Sequence, residues 1–194
     1  MAPLKIYLAG PDVFLPDARR VGQEKQQICR ELGFEGLFPL DDEEAVGADA
    51  AKIFQANCSL MRRADVGLFN LTPFRGPSAD PGTVFELGFL FAKGKPVYGY
   101  TGAAKSYGDR VAATVGLHVD QAGQPRDRDR YAVENFGLYD NLMIVRAIHD
   151  SGGILVAVEE RNEEAGASLA AFQAFKACLE VISERLQRAD IHRV

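Results

Sequence analysis

Two carboxylates mark a short segment that reads Asp80-Pro81-Gly82-Thr83-Val84-Phe85-Glu86-Leu87-Gly88. The segment has the pattern of a helix start, and the positive end of a helix favours an exposed ionised carboxylate by about 0.3–1 kcal/mol. An ionised carboxylate can attack an anomeric carbon and stabilise an oxocarbenium-like transition state. Asp80 and Glu86 are therefore candidate catalytic residues for glycosyl transfer.

The simpler interpretation of both carboxylates is a helix cap, because acidic residues are common at helix starts. The neighbours of Glu86 weaken that interpretation. A carboxylate among apolar side chains is costly unless it is hydrogen-bonded or functional. The apolar neighbours are Val84, Phe85, Leu87, Phe89 and Leu90.

Two aromatic residues near the start of the chain can serve the same site. Tyr7 lies in an apolar run and can direct its phenol toward the carboxylate, or it can be a core tyrosine with a satisfied hydroxyl. Phe14 ends the segment Gly10-Pro11-Asp12-Val13-Phe14, where it can stack on a flat heterocycle or simply pack. Residue type alone leaves both alternatives open.

Apolar runs bounded by turn residues alternate with helical apolar periodicity along the chain. The runs predict strands at residues 5–10, 36–40, 65–71, 96–100 and 154–158, and the periodicity predicts helices at 17–32, 50–64, 83–92, 135–148 and 168–187. Strands that alternate with helices favour parallel pairing through right-handed crossovers. The sequence therefore predicts an α/β fold, a single domain over residues 1–194 with a doubly wound (flavodoxin/Rossmann-like) parallel sheet of about five strands flanked by helices.

Three segments lie outside this regular alternation. They are predicted to form an acidic loop at 41–48, a long excursion or flap at 101–130, and a C-terminal strand-helix extension from about residue 151. In doubly wound sheets, ligands bind beyond the carboxyl ends of the strands. That rule predicts a site built from residues 10–14, 40–44 and 71–86.

The composition argues against several kinds of partner. The net charge is -5 and the 22 Lys and Arg residues are scattered, whereas nucleic-acid binding needs clustered cations. No apolar run approaches the roughly 20 residues of a membrane span, and the N-terminus lacks the pattern of a secretory signal. We therefore expect a soluble cytoplasmic protein with a small-molecule ligand. Buried thiols and structural or surface imidazoles, rather than a disulfide or a metal site, are expected at Cys29, Cys58, Cys178, His118, His149 and His192.

Seven short stretches of the chain, taken together and in order, resemble the nucleoside 2-deoxyribosyltransferases across about residues 4–148. The matching pieces are Ile6-Tyr7-Leu8-Ala9-Gly10-Pro11-Asp12-Val13-Phe14, Phe38-Pro39-Leu40-Asp41, Ala64-Asp65, Asp80-Pro81-Gly82-Thr83, Glu86-Leu87-Gly88, Gly94-Lys95-Pro96-Val97 and Asn141-Leu142-Met143. The resemblance implies a transferase that cleaves the N-glycosidic bond of 2'-deoxynucleosides and passes the sugar to another purine or pyrimidine base.

The resemblance also implies roles for individual residues. Glu86 matches the nucleophile, which forms a covalent deoxyribosyl ester, and Asp80 matches the acid that holds the sugar hydroxyls. Tyr7 matches the tyrosine that orients the nucleophile. Phe14 matches the ring that stacks on the base.

Further substrate-binding residues follow from the same resemblance. Gly10 and Asp12 belong to the loop that carries the stacking ring, and Asn57 stands where several members have an aspartate that hydrogen-bonds the base. Asn141 and Met143 match residues that reach into a neighbouring subunit's site, which implies a homo-oligomer, from dimer to hexamer, with shared active sites. The implied partners are a deoxynucleoside and a free nucleobase, with no metal or organic cofactor.

Three features depart from the family pattern. Asn57 is an amide and cannot donate a proton as a carboxylic acid can, so we expect water or a proton of the substrate ring to serve the leaving base. Asp42-Glu43-Glu44 replaces a region that often includes a base-reading glutamine, which leaves the base preference open. Residues 151–194 form a tail that some members lack and that can alter the oligomeric state.

Two other functions stay open. A hydrolase of the same superfamily would give the sugar to water and could prefer deoxynucleoside 5'-monophosphates, and Arg75 and Ser78 lie in the loop where a phosphate would need partners. A non-catalytic nucleotide-binding module is the second alternative. It has no need of Glu86, Asp80 and Tyr7 together.

Overall fold

A five-stranded parallel sheet forms the centre of the computed structural model, which describes residues 2–41, 49–158 and 166–191. The strands are β1 (Lys5–Ala9), β2 (Glu35–Leu37), β3 (Val66–Asn70), β4 (Val97–Thr101), β5 (His118–Val119), β6 (Pro125–Arg126) and β7 (Leu155–Ala157). The strand order of the sheet is β2-β1-β3-β4-β7, and a separate antiparallel pair is formed by β5 and β6.

Six helices accompany the strands in the described residues. A short 3-10 turn, Pro11–Phe14, directly follows β1. The α-helices are α1 (Ala18–Glu31), α2 (Ala50–Arg63), α3 (Pro81–Ala92), α4 (Tyr107–Val115), α5 (Leu142–Asp150) and α6 (Gly166–Ile191). The α/β fold class and the five-stranded parallel sheet predicted from the sequence are confirmed.

Two hydrophobic cores cover the two faces of the sheet, because successive side chains of a strand point to opposite faces. Ile6 and Leu8 of β1 pack in the core that includes α1 and α6. Tyr7 and Ala9 pack in the other core, with residues of α2, α3 and α5. The alternation along β1 therefore sends Tyr7 toward the helix that carries Glu86.

The C-terminal strand joins the central sheet, and the C-terminal helix packs on one face of that sheet. β7 pairs with β4 in parallel, and α6 packs over the sheet with Phe175, Leu179 and Ile182 fully buried. The predicted helix at 168–187 is therefore present as the longer α6. Cys29, Cys58 and Cys178 are buried free thiols.

One prediction of local structure was wrong in part, and another was incomplete. Residues 135–141 are not helical, because Asn141 caps α5 and Glu134 accepts hydrogen bonds from its side chain and from the backbone N–H of Leu142. The excursion at 101–130 is more ordered than predicted. It contains α4, capped by Ser106, and the β5–β6 pair.

The expectations about the acidic loop, a membrane span and a metal site can be compared with the structure only over the described residues. Within the acidic loop predicted at 41–48, residues 42–48 lie outside the described residues. In the part of the chain that the structure describes, no helix has both the length and the apolar character needed to cross a membrane. The same ranges contain no cluster of three or more His, Cys, Asp or Glu side chains that could hold a metal ion.

Candidate active site

A cavity of about 380 Å³ opens at the carboxyl end of β1, between the segments that follow β1 and β2 and the helices α2 and α3. This location agrees with the rule for ligand sites in doubly wound sheets. Five of the residues predicted for the site line it directly, and Tyr7 lies behind one of them. The lining residues are Gly10, Val13, Phe14, Pro39, Leu40, Ile53, Asn57, Asp80, Gly82, Thr83 and Glu86.

Asp80 begins α3 and faces the cavity at the same time. Its Oδ2 accepts hydrogen bonds from the Thr83 backbone N–H at 2.9 Å and from the Thr83 hydroxyl at 3.2 Å. Pro81 follows at the first helical position, where its missing N–H costs no hydrogen bond. Such a cap stabilises a helix by about 1 kcal/mol. Among the described residues, Oδ1 of Asp80 has no hydrogen-bond partner and can accept one from a ligand.

Glu86 lies in the second turn of α3 and is bound to Tyr7. The Tyr7 hydroxyl donates a 2.7 Å hydrogen bond to Oε1 of Glu86. Burial raises the pKa of Glu86 to about 7, Tyr7 opposes the rise by hydrogen-bonding the carboxylate, and the nearby charge of Asp80 adds to it. The pKa of Tyr7 is raised well above its usual range, mainly by burial and then by the charge of Glu86. Tyr7 is therefore a neutral donor at physiological pH.

Phe14 forms an aromatic wall of the cavity at the end of the 3-10 turn. Its ring is 55% exposed and stacks on Phe74, with 5.1 Å between centroids and 8° between planes. The Arg75 guanidinium lies 5.3 Å from the Phe14 centroid and 4.6 Å from the Phe74 centroid. Sequence reasoning did not identify Phe74, because it lies in a turn-rich loop without periodicity.

Asn57 of α2 brings an amide to the cavity. Its Oδ1 is fully buried and has no hydrogen-bond partner among the described residues. Leaving a buried acceptor unsatisfied costs about 1–3 kcal/mol. A ligand N–H or O–H that reached this oxygen would remove that cost.

Asp12 does not line the cavity that holds Glu86. It lines a neighbouring cavity of about 240 Å³ and forms an ion pair with Lys25, with 2.7 Å between Nζ and Oδ2. Burial lowers the pKa of Lys25, and the charge of Asp12 opposes that change. Sequence reasoning missed Lys25. The signal was its spacing: Ala18, Gly22, Lys25 and Cys29 are the buried positions of α1.

Asn141 and Met143 also lie outside the Glu86 cavity of their own chain. Asn141 caps α5 by accepting a 3.0 Å hydrogen bond from the Met143 N–H, and its amide donates to Glu134 at 2.7 Å. The Met143 side chain is 71% exposed. Neither residue completes the site within one chain.

The loop that leads to Asp80 is anchored by a buried carboxylate. Asp140 is 1% exposed and accepts hydrogen bonds from the Ser78 hydroxyl and the Ala79 N–H. The Arg110 guanidinium lies 3.8 Å from Asp140 and donates to the carbonyl of Pro77. These contacts fix the position of the residue just before Asp80 and engage the Ser78 hydroxyl.

The fold and the cavity together define a doubly wound α/β protein with an acidic small-molecule site at the carboxyl edge of its sheet. A family model described as nucleoside 2-deoxyribosyltransferase matches residues 6–143. The chain belongs to the nucleoside 2-deoxyribosyltransferase family. Membership supports an enzyme that transfers the glycosyl group of nucleosides or breaks their N-glycosidic bond.

Individual proteins are similar to this chain over most of its length. An uncharacterized protein of Schizosaccharomyces pombe is 37% identical over 177 residues, which cover 82% of this chain and 83% of that protein. The solved structure of a 2-desoxiribosyltransferase from Leishmania mexicana has a TM-score of 0.58 and 30% identity, covering 73% of this chain and 85% of that chain. A conserved protein from Enterococcus faecalis has a TM-score of 0.54 and 23% identity, covering 89% and 99% of the two chains, and shares the fold.

Proposed function

We propose that the protein is a nucleoside 2-deoxyribosyltransferase in activity as well as in family. In this proposal Glu86 breaks the N-glycosidic bond of a 2'-deoxynucleoside, holds the sugar as an ester, and passes it to another purine or pyrimidine base. The observation that carries the proposal is the hydrogen bond from Tyr7 to Glu86 in a cavity that also contains Asp80 and Phe14. Family membership supports the same class of reaction.

In the first half-reaction, the Glu86 carboxylate attacks C1' on the face opposite the base. A bond forms between Glu86 and C1', the C1'–N bond breaks, and the base leaves with the bonding electrons and gains a proton. Asp80 accepts hydrogen bonds from the sugar hydroxyls, and both carboxylates stabilise positive charge at C1'. Because a missing 2'-hydroxyl eases oxocarbenium formation, we expect deoxynucleosides to react faster than ribonucleosides.

In the second half-reaction, another base occupies the place that the first one left. Its nitrogen attacks C1', the ester C–O bond breaks, Glu86 regains its charge, and the new base loses a proton. Two inversions give net retention, and the shared ester gives ping-pong kinetics. Neither half-reaction changes an oxidation state, so the proposal invokes no cofactor.

We assign Asn57 to hydrogen-bonding the base, because Asn57 lines the cavity and its buried Oδ1 has no partner among the described residues. An amide offers one acceptor and two donors, but it cannot protonate a leaving base as an acid can. Water or a proton of the substrate ring supplies that proton in this proposal.

The charges at the cavity favour a nucleoside over a 5'-monophosphate. Among the described lining residues, Asp80 and Glu86 are acidic and none is Lys or Arg. A phosphate would be repelled by these carboxylates. The two side chains of this loop that could bind a phosphate have other contacts. The Ser78 hydroxyl donates a hydrogen bond to Asp140, and the Arg75 guanidinium lies over the rings of Phe14 and Phe74.

Transfer and hydrolysis share the first half-reaction, and the apolar wall of the cavity favours transfer because it offers a second base the same surface as the first. Val13, Phe14, Leu40 and Ile53 contribute to that wall. The test is incubation with deoxyadenosine and free cytosine, followed by chromatography. Transfer produces deoxycytidine. Free deoxyribose without deoxycytidine would establish hydrolysis, and binding without turnover would establish a non-catalytic module.

We further propose that the site is shared between subunits of a homo-oligomer. Met143 is exposed and lies outside its own chain's cavity, as a residue that reaches a neighbouring site would. Phe54 of α2 and Phe85 of α3 are more than half exposed, and their rings lie 6.1 Å apart beside Ile53 of the cavity. An exposed aromatic pair of this kind is typical of a subunit interface.

A further inference from the structure

A buried polar cluster lies beneath the loop that follows β1. Lys25 is 2% exposed, and its Nζ lies 2.7 Å from Oδ2 of Asp12 and donates a 2.8 Å hydrogen bond to the Tyr100 hydroxyl. The Asn70 amide donates a 3.0 Å hydrogen bond to the same Asp12 oxygen. These four residues, named here the Lys25 cluster, join α1, β3 and β4 to the 3-10 turn.

The Lys25 cluster holds one side of the turn, and the turn supplies a wall of the active site on its other side. Asp12 belongs to the cluster, whereas the next two residues, Val13 and Phe14, line the Glu86 cavity. Gly10 shows how closely the loop packs against Asn70 of β3. A Cβ at that position would lie 2.4 Å from the Cβ of Asn70 and 2.8 Å from Oδ2 of Asp12.

Stability alone does not account for a buried lysine at this position. The other inward positions of α1 are Ala18, Gly22 and Cys29, which are small and carry no charge. Removing charges from water offsets much of the attraction between them, so apolar residues of similar volume often replace a buried ion pair without loss of stability. Such a pair is better suited to fix a unique geometry, and here the element that it fixes is the turn.

We propose that Lys25 is a positioning residue that acts through Asp12 to set the place of Phe14 in the base-binding wall. The inference rests on the proposed function, in which the base stacks on Phe14. Lys25 is not among the residues that line the Glu86 cavity, so it acts on the substrate only through the turn. Its cluster lies on the α1 and α6 face of the sheet, whereas Tyr7 and its core lie on the opposite face. Lys25 therefore governs how the base binds and leaves the chemistry at Glu86 intact.

The experiment compares Lys25→Met, Phe14→Ala and the double variant in base exchange from deoxyadenosine to cytosine. Lys25→Met is expected to raise KM for deoxyadenosine about tenfold, which corresponds to about 1.4 kcal/mol, with kcat changed less than about twofold. In the Phe14→Ala background the same substitution is expected to raise KM by less than about twofold, because two residues that act through one element are not additive. Lys176→Met on the exposed side of α6 is the matched control and should leave KM unchanged.

Three results would overturn the inference while base exchange by the wild type stands. They are an unchanged KM in folded Lys25→Met, a loss confined to kcat, and an equal rise in KM with and without Phe14. Should Lys25→Met not fold, the double variant Lys25→Met, Asp12→Asn removes both charges of the pair, so that neither is left buried alone, and it is judged by the same criteria. A wild type without base exchange or hydrolysis overturns the proposed function itself, and this inference with it.

Discussion

The Tyr7 hydroxyl donates a 2.7 Å hydrogen bond to the carboxylate of Glu86, across 79 positions of sequence. The bond links the first strand to α3, so the geometry of the sheet sets the direction of the carboxylate. It also favours the ionised form of Glu86 against the burial that raises the pKa of this group to about 7. One contact thus orients the nucleophile and supports its charge.

The pH dependence of Tyr7→Phe tests that second role. Only the ionised carboxylate attacks C1', so kcat/KM of the wild type should fall as the pH drops below about 7. Losing a hydrogen bond that favours the charged form raises the pKa of Glu86 further. The acid limb should therefore move upward by about one pH unit or more in Tyr7→Phe, with a lower kcat.

The measurement for this prediction is the pH profile of kcat/KM for both proteins. Tyr98→Phe is the matched control, because Tyr98 is a buried tyrosine of β4 in the opposite core. Its profile should coincide with that of the wild type. An acid limb that stays in place in Tyr7→Phe would show that the phenol does not support the charge of Glu86.

Glu86 should lower the stability of the protein at alkaline pH. Its folded pKa is raised from 4.5 to about 7, so the folded state holds the proton more tightly than the unfolded state does. The resulting stability is complete below the unfolded pKa and is lost as the pH rises through about 7. Glu86→Gln removes the charge, so it should raise Tm by at least about 2 °C at pH 8 and change it little near pH 4.5.

Thermal unfolding at the two pH values measures this effect. Glu31→Gln on the exposed end of α1 is the control and should not stabilise the protein at either pH. A Tm of Glu86→Gln that matches the wild type at pH 8 would mean that Glu86 carries no cost of burial. Charged groups held in active sites commonly reduce stability in this way.

Substitutions of Asp80 should separate its capping role from its role in catalysis. Asn is as good a helix cap as Asp, so Asp80→Asn should unfold like the wild type, whereas Asp80→Ala should lose about 1 kcal/mol of stability. Both variants should lose most of the exchange activity, because neither presents a negative charge to the sugar. Chemical denaturation and exchange assays give the two readouts.

Asp49→Ala is the control for the cap alone. Asp49 begins α2 and accepts hydrogen bonds from the N–H groups of Ala51 and Lys52. Its loss should cost similar stability and leave exchange close to that of the wild type. Full activity of Asp80→Asn would reduce Asp80 to a structural cap.

Mixing two impaired variants tests whether subunits share an active site. Met143→Ala removes the side chain that is proposed to reach the neighbouring subunit's site. Glu86→Gln removes the nucleophile from the site of its own chain. In a randomly mixed dimer, about a quarter of the sites would contain both intact residues. Mixing should therefore restore about that fraction of wild-type activity, and light scattering of the mixture should show an oligomer. Activity no higher than the mean of the separate variants would contradict a shared site.

Much of the fold could be predicted because its signals are local. Buried parallel strands such as β3 are continuous apolar runs, and turn residues bound them. The site could be predicted in part because the carboxyl ends of parallel strands meet at one edge, which brings the segment after β1 near the start of α3. Both signals are readable without knowing any tertiary contact.

The Lys25 cluster could not be predicted, because its meaning depends on remote partners. The spacing of Lys25 places it on the buried face of α1, but only the sheet brings its partners Asp12, Asn70 and Tyr100 to it. The start of α5 was missed for a similar reason. The cap at Asn141 is stabilised by the carboxylate of Glu134, and a periodicity argument does not register such a contact.

The central claim is that Glu86 carries the sugar as a covalent ester, and the most direct test is to trap that ester. The protein is incubated with deoxyadenosine in the absence of an acceptor base, quenched in acid, digested and analysed by mass spectrometry. We predict that the peptide containing Glu86 gains the mass of one deoxyribosyl group and that Glu86→Ala shows neither adduct nor exchange. An unmodified Glu86 peptide from a reacting enzyme, or a fully active Glu86→Ala, would contradict the account.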